Sequence, residues 1–401
     1  MHMNNIMELL DKDKCCGCEV CKSVCKPNAI SLKSNDEGFL YPEIDDNICV
    51  KCGKCSLTCP VLNHTESKMQ SDCYAGYIAD KNILINSSSG GFFTALANNF
   101  LRIYPDDGYV VGVVWDTTYS NVYHFCSKDI NDIAKMRGSK YIQSNKGNIY
   151  DEVLSKLESE FNVLFVGCPC EVVALKRYLK KDYERLIAVD LVCKGPTSAR
   201  MWKDYKLCLE QKYKSSITSV NMRYIGWKEW IPQWINIKFS NGNEFKKIFY
   251  TTDFGRAFYL VQRKSCYSCN FRDKGRMSDI TLGDFHGANT LKKYYNRLGT
   301  SIVIANSEKG KCTISNLLSK DTLLLPVNYE EIIKHNPCII KSNLPNEKRG
   351  IFLKLYNDVN MHLAVKKTYP LKERLINYLP PDLSGKLYRL AQLFKGRKGK
   401  S

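Results

Sequence analysis

The chain has 401 residues, 44% hydrophobic and 25% charged, enough for two or three folded domains and too apolar for a disordered chain. Its net charge of +18 is uneven: residues 1–68 hold eight Lys and ten acidic residues, or −2, which leaves +20 for the remainder. Nineteen cysteines cannot all pair internally, and residues 1–14 lack the apolar stretch of a signal peptide, so a reducing, cytoplasmic setting is expected.

The first segment with chemistry in it is a repeat. Cys15, Cys18, Cys21 and Cys25, then Cys49, Cys52, Cys55 and Cys59, each read C-x2-C-x2-C-x3-C. In two-cluster ferredoxins the first three thiolates of such a run hold one cubane and the fourth crosses to the other. Two 4Fe-4S clusters are therefore expected, one on Cys15, Cys18, Cys21 and Cys59 and one on Cys49, Cys52, Cys55 and Cys25. Paired zinc sites are the alternative, although zinc patterns usually set two short pairs apart by a longer loop. Pro60 follows Cys59 as the pattern requires, whereas Lys26 intervenes before Pro27. Cys16 reads as a small packed thiol beside a ligand. Residues 29–32 and 39–44 read as strands about the turn Asn35-Asp36-Glu37-Gly38, giving an α+β ferredoxin-like domain over 1–68, with a polar linker at 64–70.

From residue 72 strand-like and helix-like segments alternate, the pattern of a mixed α/β body. Strands are expected at 109–115, 163–166, 186–192 and 279–283, and helices at 92–103, 149–160 and 171–180. Residues 82–101 carry no charge, but four Asn, three Ser and two Gly make them too polar to span a bilayer. No G-x-G-x-x-G follows any of these strands, which argues against a Rossmann dinucleotide site.

Several loops of the body hold small or reactive residues. Ser87-Ser88-Ser89-Gly90-Gly91 precedes a helix, where free N–H groups favour an anion and where a simple cap is equally served. Gly138 to Ser144 offers a cation, an aromatic face and hydroxyls. Cys168-Pro169-Cys170 and Cys193 each follow a strand, and Cys266 and Cys269 share a loop; their spacing alone does not decide between structural thiols and a third metal centre. The Lys and Arg residues are dispersed among acids with no DNA- or RNA-binding module to aim them, so no specific nucleic-acid partner is expected. The exception is the tail. Residues 371–401 hold eight basic and two acidic residues, with Leu387, Leu390, Leu393 and Phe394 at helical spacing, which suits docking on the body or, alternatively, peripheral membrane contact.

The order of these segments resembles the beta-subunit family of coenzyme F420 hydrogenases and dehydrogenases, in the version with an N-terminal two-cluster ferredoxin. The matching stretches are Ser88-Ser89-Gly90-Gly91, Gly138 to Ser144, Gly167-Cys168-Pro169-Cys170, Val189 to Gly195, and Cys266 to Phe271 continuing through Ser278 to Phe285. The resemblance implies a body split into 72–150 and 151–330 that binds FAD, with a further 4Fe-4S cluster nearby; after the body, charge and spacing make 331–401 a basic helical tail. It implies Cys170, Cys193, Cys266 and Cys269 as that cluster's ligands, with Cys168 where Thr is common. Flavin contacts are implied at Ser89, Gly90, Gly91, Ser139, Lys140, Tyr141, Gly283 and Asp284. The sequence departs from the family at Lys194, Glu171 and His286, where similar chains carry His, Gln and Trp. The implied function is an FAD and iron-sulfur oxidoreductase between a hydride carrier, deazaflavin or another, and a one-electron redox protein or partner subunit. Lys140 or Lys194 would stabilise charge on the reduced flavin. The alternative is a non-catalytic subunit that relays electrons to a separate catalytic chain.

Overall fold

The computed structural model describes residues 4–66, 72–225, 229–317 and 321–375, together with 379, 383 and 385–387. In the N-terminal domain β1 (Ile30–Ser34) and β2 (Leu40–Ile44) form an antiparallel hairpin in the register Ile30↔Ile44. Asn35 closes it, accepting through Oδ1 from the Phe39 amide at 2.9 Å. Each cysteine run continues into a short helix, Val20–Ser23 and Lys54–Thr58. The helix carries the fourth cysteine of the run away from the loop holding the first two.

Among the described residues the body is built on one eight-stranded mixed sheet and one three-stranded sheet. Its strands in chain order are β3 (Asp72–Ile78), β4 (Gly108–Trp115), β5 (Val122–Ser127), β6 (Asn162–Gly167) and β7 (Leu186–Leu191). They continue as β8 (Ile217–Tyr224), β9 (Trp234–Phe239), β10 (Glu244–Ile248), β11 (Ile280–Asp284), β12 (Ser301–Ala305) and β13 (Thr322–Pro326). The large sheet runs β13-β3-β12-β11-β7-β6-β4-β5, and β8, β9 and β10 make the small antiparallel one. Strands β4, β6, β7 and β11 are mutually parallel, and β12, β3 and β13 extend the sheet antiparallel from β11.

Both faces of the parallel centre are covered, which is why β6 is buried along its whole length and reads as a continuous apolar run. Helix Phe92–Ile103 packs Phe92, Leu96 and Phe100 on one face; helices Ile149–Glu158 and Pro169–Leu179 pack Tyr150, Val153, Val172 and Leu175 on the other. Each such side chain contributes about 1.5–3 kcal/mol on burial. The four expected strands coincide with β4, β6, β7 and β11, and the three expected helices with these three, to within two residues at either end. The sheet takes strands from 72–150 and from 151–330 alike.

Helices Arg349–Asp358 and Met361–Thr368 bury Phe352, Tyr356, Met361 and Val365 in the core that also holds Trp202 and Phe254. The tail beyond them falls partly outside description: Leu390, Leu393, Phe394 and the basic residues after them lie outside the described residues, as do residues 67–70 of the expected linker. Among the described residues no helix is long and apolar enough to cross a membrane.

Candidate functional site

The eight N-terminal cysteines surround two cavities. Cys15, Cys18, Cys21 and Cys59 line one, and Cys25, Cys49, Cys52 and Cys55 line the other. One face of the hairpin closes both, with Leu32, Leu40 and Pro42 over the first and Ile30 and Ile44 over the second. Among the described residues no three His, Cys, Asp or Glu side chains gather closely enough for a single metal ion; the sulfurs ring volumes instead. Burial pushes the Cys21 thiol well up and that of Cys59 up to about 11; burial also raises Cys15, against the opposing Arg263 guanidinium. Buried thiols of this kind lose their protons to a metal that supplies the missing positive charge, so the donor set fits iron. The cavities differ in exposure: Cys15, Cys18, Cys21 and Cys59 are buried, whereas Cys52 is exposed beside Val50, 64% exposed.

The body cysteines meet because β6 and β7 are parallel neighbours whose carboxyl ends open on the same edge, where ligands of open α/β sheets bind. Cys168 and Cys170 begin the helix after β6, and Cys193 follows β7. The Cys168 thiol stands against Cys193 and brings the latter down to about 7 through its hydrogen bond. Cys266 lies within electrostatic reach of Cys193 and Cys269, and a Cβ on Gly195 would approach its Sγ to 3.0 Å. Cys170 faces Cys16, whose hydrogen bond raises it well above the ordinary thiol value. Cys16, expected to be a packed thiol, thus joins the N-terminal loop to the body set. No local pattern marks that role, because Cys170 lies far along the chain.

Under this set the helix after β6 is capped by Glu171, which accepts from the Cys168 amide at 2.7 Å. Its carboxylate is buried with Lys146 at 2.7 Å and His124 at 3.6 Å. Burial works against its ionisation, but Lys146 and His124 hold it at about 2. Glu171, a departure from the family, therefore carries a charge already matched inside the fold.

The Ser-Gly loop lies at the same sheet edge, at the start of β12 beside the end of β11. Ser89 Oγ donates to the Thr300 carbonyl at 2.8 Å, and the Gly90 amide donates to Ser301 Oγ at 2.8 Å. Ser139 donates through its amide and hydroxyl to Ser88 Oγ. Arg223, from β8, pairs with Asp284 at 2.8 Å and donates to the Ser88 carbonyl, as does Trp230 Nε1. Trp230 also stacks on His286, ring centroids 6.0 Å apart. These bonds gather Ser89, Gly90, Ser139 and Asp284, and Arg223 Nη1 also donates to the Tyr141 hydroxyl at 3.5 Å, while Gly91 follows Gly90 and packs against Ile78. Lys140 is adjacent in sequence, but its ammonium donates to the Met136, Arg137 and Gly138 carbonyls. Burial lowers it to about 7. Lys194 is exposed, one residue past Cys193 and within electrostatic reach of His286. Sequence reasoning missed Arg223 and Trp230, whose segment carries no motif.

The N-terminal domain is seated on the body by buried polar contacts. Tyr150 donates to the Cys18 carbonyl at 2.8 Å, Gln143 to the Gly17 carbonyl at 2.7 Å and Arg263 to the Cys15 carbonyl at 2.6 Å.

Residues 14–63 match the 4Fe-4S dicluster domain, and residues 161–326 match the C terminus of the coenzyme F420 hydrogenase/dehydrogenase beta subunit. The chain carries the C-terminal domain of this beta-subunit family together with an N-terminal 4Fe-4S dicluster domain. Its N-terminal dicluster domain gives it two 4Fe-4S clusters and the character of an iron-sulfur electron-transfer protein. Among curated relatives it is 26% identical over 344 residues to the coenzyme F420-dependent sulfite reductase of Methanocaldococcus jannaschii, covering 83% of this chain and 50% of that protein. An uncharacterized protein of the same archaeon is 27% identical over 219 residues, covering 45% of this chain and 56% of its own length. The chain therefore spans about half the length of these two relatives. Ferredoxin-3 of Nostoc is 35% identical over 78 residues, 16% of this chain and 80% of the ferredoxin. A chain of the F420-reducing [NiFe] hydrogenase complex from Methanosarcina barkeri superposes with TM-score 0.46 at 16% identity, covering 76% of this chain and 91% of that one.

Proposed function

We propose that this chain is an iron-sulfur flavoprotein oxidoreductase that moves electrons between a hydride carrier at bound FAD and a one-electron partner at the N-terminal clusters. One observation carries the reading: the cysteine sites stand in file. The exposed second cavity adjoins the buried first, Cys16 of the first loop faces Cys170 of the body, and the body set ends at Cys193, next to the strand whose end bears Asp284.

In this reading Cys170, Cys193, Cys266 and Cys269 hold a third 4Fe-4S cluster, with Cys168 as the rival of Cys170. Ser89, Gly90, Gly91, Ser139, Lys140, Tyr141, Gly283 and Asp284 hold FAD, and Arg223 fixes that shell by pairing with Asp284 and Ser88. FAD exchanges two electrons as a hydride and releases them singly, and cubanes carry them one at a time. Lys140 contributes a cation through the carbonyls it binds, and Lys194 contributes one from the solvent side. The sulfite reductase is twice as long as its match to this chain, so its named activity is not carried over. The outward face of the second cavity, with Ile48 and Val50 exposed, favours as second reading a relay subunit serving a separate catalytic chain.

Anaerobic purification with iron, sulfide and flavin counted per chain tests both. About twelve irons and one FAD, with turnover by the isolated chain on reduced deazaflavin or NADPH, supports the oxidoreductase. About eight irons, no flavin and no turnover supports the relay.

A further inference from the structure

Arg263 reaches from the body into the N-terminal domain. It precedes Cys266 by three residues, and none of its side chain is exposed. Its guanidinium donates to the carbonyls of Cys15 at 2.6 Å and Leu40 at 2.8 Å and to Gln143 Oε1 at 2.9 Å, and Nη2 stands 3.5 Å from Cys15 Sγ. The Tyr41 ring lies 4.2 Å from its Cζ. Apart from the thiol these partners are neutral, and among the described residues no carboxylate stands within ion-pair distance. Glu19, which also lines the first cavity, turns its carboxylate to the Lys146 amide at 3.2 Å.

A guanidinium remains charged in proteins, and burying it without a counter-charge is costly. A cubane held by four thiolates is an anion, and reduction makes it more negative. We propose that Arg263 is the buried counter-ion of the first N-terminal cluster and raises its reduction potential above that of the second. The lysines lining the second cavity, Lys51 and Lys54, are exposed, and water screens them. Net charge and hydrogen bonds to sulfur are the protein's controls on cluster potential, and Arg263 supplies both. The first cluster then collects the electron, and passage to the exposed second cluster is the uphill step that waits for a docked partner.

The inference rests on Cys15, Cys18, Cys21 and Cys59 being the first cluster's ligands. The test is a potentiometric titration of the full chain, prepared anaerobically and followed by electron paramagnetic resonance, with Cys52→Ser identifying the second cluster's signal. In Arg263→Gln the first cluster's midpoint falls, so that its reduced-to-oxidised ratio at the wild-type midpoint drops about tenfold, equivalent to 59 mV for one electron. Arg263→Lys restores most of that shift, and the second cluster does not move. Two intact clusters with unmoved potentials in Arg263→Gln overturn the proposal. If that variant loses iron, Gln143→Glu neutralises the guanidinium in place, and an unmoved potential there overturns it equally. Failure of the underlying ligand reading is distinct: the wild-type chain would then lack the two signals.

Discussion

At the residue scale, Glu19 and Gly53 occupy the same place in the two cysteine runs and the same left-handed backbone, φ +65° and +67°. Each turns the chain after the second cysteine into the helix that delivers the fourth, and this geometry places Cys25 and Cys59 on exchanged cavities. The exchange makes a double-variant prediction. Cys25→Ser with Cys52→Ser loses no more iron than either change alone, about four per chain, because both strike one cluster. Cys59→Ser with Cys52→Ser loses about eight, and an equal loss from the two pairs would refute the crossing. The local spacing made these eight cysteines legible. Arg263 and Cys16 were not legible, since the contact from Arg263 to Cys15 spans 248 residues and no local spacing encodes it.

At the scale of elements, the candidate site is a property of one sheet edge. Strand β6 was readable as an unbroken apolar run buried on both faces, and β7 and β11 by their largely apolar, buried residues; Cys168 and Cys193 follow β6 and β7, and Asp284 ends β11. Strands β3, β12 and β13 escaped because each pairs antiparallel with a segment distant in sequence, so that its place depends on the whole sheet. The Ser-Gly loop depends on that placement. A Cβ on Gly90 would come within 2.4 Å of the Gly76 carbonyl oxygen and 2.8 Å of the Ser301 amide, both backbone atoms that cannot rotate aside. Gly90→Ala is therefore expected to cost more than about 2 kcal/mol in a urea titration and to strip the proposed FAD. Gly350→Ala, in helix Arg349–Asp358 with nothing within 4 Å, is the control and stabilises by up to about 1 kcal/mol. Equal stability of the two variants would mean that the loop does not press against β3.

At the scale of the molecule, the N-terminal domain and the body share a buried polar seam in which Glu19, Lys146, Glu171, Ser144 and His124 follow one another. His124 stacks on Phe165 of β6, 5.6 Å between centroids. Burial lowers its pKa to about 4, from an ordinary 6.5, although Glu171 pulls the other way. The unfolded chain binds a proton between these values that the folded chain refuses, so the stability in question is complete above pH 6.5 and drains away as pH falls toward 4. Between pH 7 and 5 the loss amounts to about 2 kcal/mol. Glu171, held at about 2, adds its own loss only at lower pH, which keeps the two contributions apart. His124→Gln removes the titrating ring and retains a partner for Ser144. It should be less stable at pH 7, where the stacking on Phe165 is lost, but its denaturation midpoint should change little from pH 7 to 5 while the wild-type midpoint falls. Acid lability of the clusters is common to both proteins, so the difference in slope isolates the ring. Parallel slopes would mean that the Glu171 carboxylate returns His124 to its ordinary value, so that the ring takes up its proton in the folded chain over the same pH range as in the unfolded one.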